Sequence, residues 1–370
     1  MKVLSLFDGM GCAALATLKA NIPIDRYVAF EIDQYAIKTT AHNFPKAEHR
    51  GDVFEGDFTE FKGFDILMGG SPCTYWSIAQ KNNRETEASG MGWKLFSQYV
   101  RALREAEPKY FIYENNKSMS NAIRESITST FGFEPICINS SLVSAQNRQR
   151  LYWVGKRNDD GTYSKVEVGQ PQDRGILLKD ILELSESVVE KEKAYCLCSN
   201  HCGTTRDYFK KHQSQIVFEP VRIGDIGSNA QAHRVYSCYG KSVTLSANGG
   251  GQGGKTGLYF TPLPKELESI VCDKGKIYSV TNGKIETKSG TWSVNLPDGL
   301  YIIRKLTVRE CMRLQTVPEW FDFSVVSDTQ AYKMLGNGWT VDVIAHILTH
   351  LPKEGSFNSD SGCMTACEIC

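Results

Sequence analysis

The chain has no hydrophobic run long enough to span a bilayer and no surplus of charge. A membrane-crossing helix needs about 20 apolar residues in a row, so none is expected. The 42 basic residues balance 42 acidic ones, so a polyanionic partner would have to meet a local basic face. The N-terminal MKVLSLFDGMGC reaches Asp8 and Gly9 too early for the apolar core of a secretion signal, so a cytoplasmic protein is expected. Without that signal, the 12 scattered cysteines read as reduced thiols. Cys196, Cys198, His201 and Cys202 lack the two short ligand pairs of structural zinc, and Cys363, Cys367 and Cys370 supply only three ligands. No metal is expected at either cluster. ANGGGQGGKTG (247–257) lacks the spacing of a phosphate-binding loop ending, so it reads as a flexible loop near a ligand.

The stretch that is richest in chemistry is ILMGGSPCTYWS (66–77). Three apolar residues and two glycines predict a buried strand ending in a tight loop. Pro72 stiffens the backbone that presents Cys73. A lone cysteine is usually a small buried hydrophobe, but at a strand end in an α/β sheet it is also a candidate nucleophile.

Several neighbours favour the second reading. Residues 1–6 read as a strand, FDGMGC (7–12) as a glycine turn and 13–20 as a helix, the pattern of a nucleotide-cofactor loop. Ala14 stands where a third glycine would favour a nicotinamide cofactor. A second strand, 27–33, contains Glu31, 20 residues after Gly11 and suited to a ribose hydroxyl pair. Residues 36–44 read as a helix, and two Gly-Asp pairs follow at Asp52 and Asp57, either able to bond an adenine amino group. Residues 74–93 are polar and contain Ser89, Gly90 and Gly92, a composition that suits a mobile lid before a helix over 95–106. The strand 109–115 closes on Glu114, a carboxylate that is costly to bury without a partner. A helix is expected over 120–131. Gln146, Arg148 and Arg150 alternate in an extended segment, which puts them on one face: an ordinary solvent face, or an anion grip beside a cleft.

The alternation of strands and helices to about residue 155 predicts a doubly wound, mostly parallel sheet. Residues 156–300 change texture, with short β-like runs and scattered charges (Arg206, Lys210, Lys211, His212, Arg222, Arg234, Lys241, Lys255) of a kind usual on solvated surfaces. A helix over 304–318 stopped by Pro318, a Gly336-Asn337-Gly338 turn, an apolar helix and a polar, disordered tail complete the expectation.

FDGMGC, FEID, GGSPC, YEN, QNRQR, RKLTVRECMRLQ and GNGWTV, in that order, resemble the DNA (cytosine-5) methyltransferase family of prokaryotic or phage type. The resemblance implies a Rossmann-like catalytic domain that binds S-adenosylmethionine, spanning 1–155 and completed by 328–352. It implies a smaller, mostly β or irregular target-recognition domain at 156–327, ahead of the tail 353–370. Carried over by position, Phe7, Gly9 and Gly11 would line the cofactor's methionine end, and Asp8 and Pro72 would also be cofactor-binding. Glu31 would hold the ribose, Ile32 would lie against the adenine, and Asp52 with Val53 would best match the Gly-Asp motif, Asp57 being a second candidate. Cys73 matches the nucleophile, Glu114 the ring-nitrogen acid, and Arg148 and Arg150 the arginine pair near the flipped base. Asn337 matches the C-terminal cofactor motif.

Three motifs depart from the family pattern. Thr-Tyr-Trp-Ser follows the thiol, after a Gly-Gly-Ser-Pro-Cys opening similar to eukaryotic de novo and some phage enzymes. Asn116 stands where Val is usual, and Gly338-Trp339 where Ser-Val is usual. Double-stranded DNA is the implied partner, no membrane is, and a cognate restriction enzyme or phage setting stays open. Three rivals also stay open: a tRNA methyltransferase on the same fold, a non-catalytic DNA-binding relative, and a nicotinamide oxidoreductase with a redox cysteine.

Overall fold

The computed structural model describes residues 1–77, 84–183, 220, 222–226, 233–245, 257–262, 276–287 and 290–352. The first half alternates strands and helices: β1 (Lys2–Leu6), α1 (Cys12–Lys19), β2 (Arg26–Phe30), α2 (Gln34–Asn43), β3 (Glu48–His49), β4 (Ile66–Gly69), α3 (Gly90–Ala106), β5 (Tyr110–Asn116), α4 (Asn121–Phe131), β6 (Ile136–Asn139), β7 (Gln149–Arg157) and β8 (Tyr163–Lys165). Among the described residues these strands form one sheet of order β3-β2-β1-β4-β5-β7-β6, with β8 on β7. The first five are parallel, and β7 runs antiparallel to both β5 and β6.

The strands are buried on both faces, which is why they read as continuous apolar runs. Side-chain alternation divides them between two cores. Val3, Ile66, Met68 and Ile112 point to one face, against α1 and the C-terminal helices. Leu4, Leu6, Leu67, Phe111 and Tyr113 point to the other, with Phe96, Tyr99 and Trp153. Helix starts are specified locally. Asp33 accepts from Tyr35 N at the start of α2, and Ser120 Oγ accepts from Ile123 N at the start of α4.

A second sheet holds β9 (Arg222–Asp225), β10 (Arg234–Ser237), β11 (Leu258–Pro262), β12 (Lys276–Thr281), β13 (Lys284–Thr287), β14 (Gly290–Ser293) and β15 (Gly299–Arg304). Its order is β14-β13-β12-β15-β11-β10-β9. It curls until its ends meet, where Gly224 bridges Val294 and Asn295 N donates to Ile223 O at 2.7 Å. Ile223, Val235, Phe260, Val280, Ile285 and Ile303 fill its own core. The chain then returns through α5 (Val308–Leu314), α6 (Asp328–Asn337) and α7 (Val341–Thr349) to cover the first sheet.

Several boundaries differ from the sequence expectation. Strand β8 extends the first sheet past residue 155, and Leu306, Cys311, Met312 and Leu314 lie in the first sheet's core, before residue 328. Arg304 ends β15 rather than opening a helix, and α5 starts at a Thr307–Glu310 capping box. Gly336 and Asn337 belong to the last turn of α6, not to a free turn.

Parts of the expected lid are held by burial and hydrogen bonds. Trp76 is fully buried, and its Nε1 donates to Glu85 Oε2 at 3.1 Å. Glu85 also accepts the amides of Met91 and Gly92, so it satisfies the orphan donors at the start of α3. Arg84 donates to the carbonyls of Trp76 and Ser118. Residues 78–83, most of the 247–257 loop, both cysteine clusters, the tail 353–370, and Arg206, Lys210, Lys211, His212 and Lys255 lie outside the described residues.

Candidate active site

The strand order reverses direction at β1 and β4, so a crevice opens at their carboxyl ends. The turn after β1 is shaped by positive φ at Phe7 (56°), Gly9 (59°) and Gly11 (81°). A side chain on Gly11 would meet Thr40 Cγ2 at 3.1 Å and the Phe44 ring at 3.2 Å, whereas the space in front of Gly9 is open. Glu31 lies just past β2 and organises this turn. Its Oε2 accepts Gly9 N at 2.8 Å, and its Oε1 accepts Ile32 N at 2.8 Å and Asp33 N at 2.9 Å. Three of about four acceptor sites are used, leaving one for a ligand hydroxyl.

Asp8 turns inward instead. It is buried, with Ser5 Oγ donating to Oδ1 at 2.6 Å and the Tyr27 hydroxyl donating to the same oxygen. Burial pushes its carboxyl up to about 7, against the lowering effect of those two bonds. Asp8 therefore shapes the turn from beneath. Ile32, just past the carboxyl end of β2, is 67% exposed. Val53 is buried, and the next residue, Phe54, which the sequence reading did not single out, is exposed. Asp52 Oδ1 accepts Phe54 N at 3.0 Å, while Asp57 is engaged in capping a short 3-10 turn at Thr59.

The thiol loop follows β4, between β1 and β5. Cys73 opens a 3-10 turn, Cys73–Tyr75, and Pro72 is exposed. Behind it, Ser71 Oγ and the Tyr113 hydroxyl are 2.7 Å apart, and Asn115 Nδ2 donates to Ser71 O at 3.1 Å. This buried network fastens the loop to β5. Gly70 is in direct contact with Glu114: a Cβ there would lie 2.7 Å from Glu114 O and 2.8 Å from Oε2. The loop and the carboxylate are therefore one packed unit.

Glu114 lies two residues before the end of β5 rather than closing it. Its Oε1 receives Arg150 Nε at 3.0 Å, and its Oε2 receives Trp339 Nε1 at 3.1 Å. Arg150 reaches it because antiparallel β7 begins where β5 ends. Gln146 and Arg148 come earlier in the same segment. Both are buried before β7 starts, and Arg148 donates to the carbonyls of Leu245, Gly336 and Gly338 at 3.3, 3.2 and 2.9 Å. Arg148 thus ties the segment between β10 and β11 and the end of α6 to the first sheet. Asn337 is exposed at that helix end.

Cys12 also lies near this site, but burial pushes its thiol up to about 12, which leaves it neutral and inert. Among the described residues, no group of three His, Cys, Asp or Glu side chains is gathered to hold a metal, and no helix is long and apolar enough to cross a membrane.

The profile of the C-5 cytosine-specific DNA methylase family matches residues 1–353. Among curated relatives, the type II methyltransferase M.HhaI of Haemophilus parahaemolyticus is 26% identical over 370 residues, covering 96% of each chain. The orphan methyltransferase M.SPRI of Bacillus phage SPR is 26% identical over 440 residues, covering 95% of this chain and 97% of the relative. Two solved structures share the fold. A Spodoptera frugiperda DNMT2 variant superposes with a TM-score of 0.59 at 16% identity, covering 94% of this chain and 98% of the other. A putative DNA modification methyltransferase from an E. coli prophage superposes at 0.56 with 20% identity, covering 95% and 98%. The family profile spans nearly the whole chain and the relatives match it end to end, so the chain belongs to the C-5 cytosine-specific DNA methylases, a family of methyl-transferring enzymes.

Proposed function

We propose that this enzyme methylates C5 of a flipped cytosine at a specific duplex DNA sequence, through a covalent bond from Cys73 to ring carbon C6. The observation that carries this reading is the contact of Gly70 with Glu114, which binds the thiol loop and the acid into one unit at the sheet's carboxyl edge.

The residues fit S-adenosylmethionine as donor. Open space stands before Gly9, Glu31 keeps an acceptor site, and Ile32 offers an exposed apolar surface. Phe7, Gly9, Gly11 and Pro72 would hold its methionine end, with Asp8 beneath the turn and Asn337 at its C-terminal rim. Glu31 would hold the ribose, and Ile32, Asp52 and Val53 the adenine. When bound, the donor supplies an electrophilic methyl group.

Cytosine C5 is a poor nucleophile. Addition of the Cys73 thiolate to C6 makes C5 electron-rich. Glu114, sharing a proton with N3, offsets the charge that develops on the ring. Arg150 and Trp339 each occupy one carboxyl oxygen and leave an acceptor site on both, so Glu114 can hold that proton while staying oriented. C5 would take the methyl group, the donor's sulfonium leaving as a neutral thioether, and a base would then remove the C5 proton so that Cys73 is eliminated as thiolate. The target atoms lie inside the duplex, so the base must leave the stack. The second domain would read the flanking bases.

The test uses mixed-sequence duplex DNA and methyl-labelled S-adenosylmethionine. Mass spectrometry of the digested product, with bisulfite sequencing, is expected to find 5-methylcytosine at a recurring short motif. Cys73→Ser is expected to abolish transfer and keep DNA binding. Substantial turnover by that variant would remove Cys73 from the nucleophile role, and label entering tRNA but not DNA would overturn the substrate.

A further inference from the structure

We propose that Trp339 is a positioning residue for Glu114: its indole N–H, delivered by the buried junction of α6 and α7, sets the direction of the catalytic carboxyl. The inference rests on the reading of Glu114 as the ring-nitrogen acid. It adds a residue that acts through Glu114 from 225 positions away in sequence.

The terminal torsion of a glutamate is soft. One donor, Arg150 Nε on Oε1, leaves the carboxyl free to swing about that contact. A second donor on the other oxygen, from a different element, removes the swing. Trp339 Nε1 is that donor, 3.1 Å from Oε2. An indole N–H only donates and carries no titratable proton, so it orients the acid without competing for the proton that the chemistry needs.

The backbone that carries Trp339 is held on all sides. Gly338 O accepts from Arg148 at 2.9 Å and from Gln315 Nε2 at 3.2 Å. Gln315 also donates to Leu335 O at 2.6 Å, and its Oε1 accepts from Thr340 Oγ1 at 2.9 Å. Thr340 Oγ1 in turn meets Ser140 Oγ at 2.8 Å. Gln315, Thr340, Ser140 and Arg148 are all buried. Such a satisfied network fixes geometry rather than merely filling space.

Gly338 completes the arrangement. A Cβ there would meet Met334 O at 3.0 Å, Cys12 Sγ at 3.2 Å and Met10 Cε at 3.3 Å. The missing side chain lets the junction close onto the cofactor turn and brings the indole within reach of β5. Both departures from the usual Ser-Val pair therefore serve one contact. Glu114 and Trp339 meet because even-numbered residues of β5 face α1 and α7, the side on which the junction lies.

The test measures single-turnover methyl transfer by the full chain at saturating S-adenosylmethionine and duplex DNA. Trp339→Phe keeps a ring and loses the N–H. Replacement of the Trp339 indole by its benzothienyl isostere loses the N–H at unchanged shape, and guards against a Phe variant that folds poorly. Both are expected to slow transfer by at least about 10-fold, the scale of one hydrogen bond to a charged group, with Kd for the cofactor within about twofold of wild type. Wild-type rate in the isostere would overturn the proposal and assign Trp339 to packing. Glu114→Gln is measured alongside. If it too keeps the wild-type rate, or if the wild type itself transfers no methyl group, the reading of Glu114 falls and the proposal falls with it. A slow Glu114→Gln beside a normal isostere overturns the proposal alone.

Discussion

Arg150 and Glu114 meet diagonally across the β5–β7 ladder, Arg150 standing opposite Asn116 and Glu114 opposite Tyr152. Their 3.0 Å contact is nearly enclosed, with side-chain exposures of 14% and 12%. An ion pair so shielded from water is more than a surface contact, because removing one partner strands the other. Arg150→Ala is expected to cost about 2 kcal/mol of stability, the scale of an unsatisfied buried polar group, and to slow transfer by roughly 100-fold as Glu114 loses its direction. Arg150→Lys keeps the charge but not the fixed Nε geometry, so its rate should fall between. Urea unfolding and single-turnover rates check both. A stable Ala variant with normal turnover would make the pair incidental.

Gly70→Ala probes the same carboxylate from the other side. The added Cβ would lie 2.7 Å from the Glu114 backbone oxygen, and that backbone is fixed in the sheet. The strain must move either the thiol loop or the acid. Transfer is expected to fall by roughly 100-fold, because a displacement of about 1 Å in a reacting group costs that much. Cofactor affinity, which in the proposed reading rests mainly on the turn after β1 and on Glu31, should stay within about threefold by calorimetry. A large loss of affinity instead would mean that the loop and the cofactor turn move together.

Glu31 faces donors on both oxygens: Gly9 on one, Ile32 and Asp33 on the other. Glu31→Gln is therefore not conservative. Either orientation of the amide sets an NH2 group against a backbone N–H. Both Glu31→Gln and Glu31→Ala are expected to weaken S-adenosylmethionine binding by about 10- to 100-fold, the scale of one or two lost charge-assisted bonds. Isothermal calorimetry decides, and a Gln variant that binds like wild type would show that the Gly9 contact does not shape the site.

The parts of this fold that were legible are those written in local pattern. The Phe7–Gly11 turn, Glu31 and the paired apolar strands around Cys73 and Glu114 follow from glycine spacing and from strand ends. Asn282-Gly283, with φ of 52° and 68°, is a two-residue hairpin signal between β12 and β13 that was equally available and went unread. Other features are absent from any local pattern. The alternation of Gln146, Arg148 and Arg150 looks the same whether the partners are solvent, a ligand or carbonyls. Only the return of residues 245 and 336–338 shows that Arg148 meets backbone. The polar segment 74–93 reads as loose because composition does not reveal that Trp76 is buried or that Glu85 caps α3. Trp339 could be noticed as a departure, but its partner lies 225 residues away.

Asp8 gives the cofactor turn a pH dependence whose sign can be worked out. In the unfolded chain its carboxyl titrates near 3.8, while in the fold burial raises it to about 7. Its Oδ2 is enclosed with no partner among the described residues, so the fold favours the protonated form. Below about pH 4 both states are protonated, and the contribution of Asp8 is fully present. Between about pH 4 and 7 the unfolded state gives up the proton and the native state keeps it. Stability then falls with rising pH, by at most about 1.4 kcal/mol per unit, and the loss is complete above about pH 7. Asp8→Asn cannot titrate. It adds a constant offset from its own hydrogen bonding, but that offset does not depend on pH. Urea unfolding of both proteins at pH 5, 6, 7 and 8 should therefore show the stability of wild type dropping relative to Asp8→Asn up to about pH 7, then running parallel. Parallel curves across the whole range would mean that Asp8 is already ionised at pH 5, with Ser5 and Tyr27 outweighing its burial.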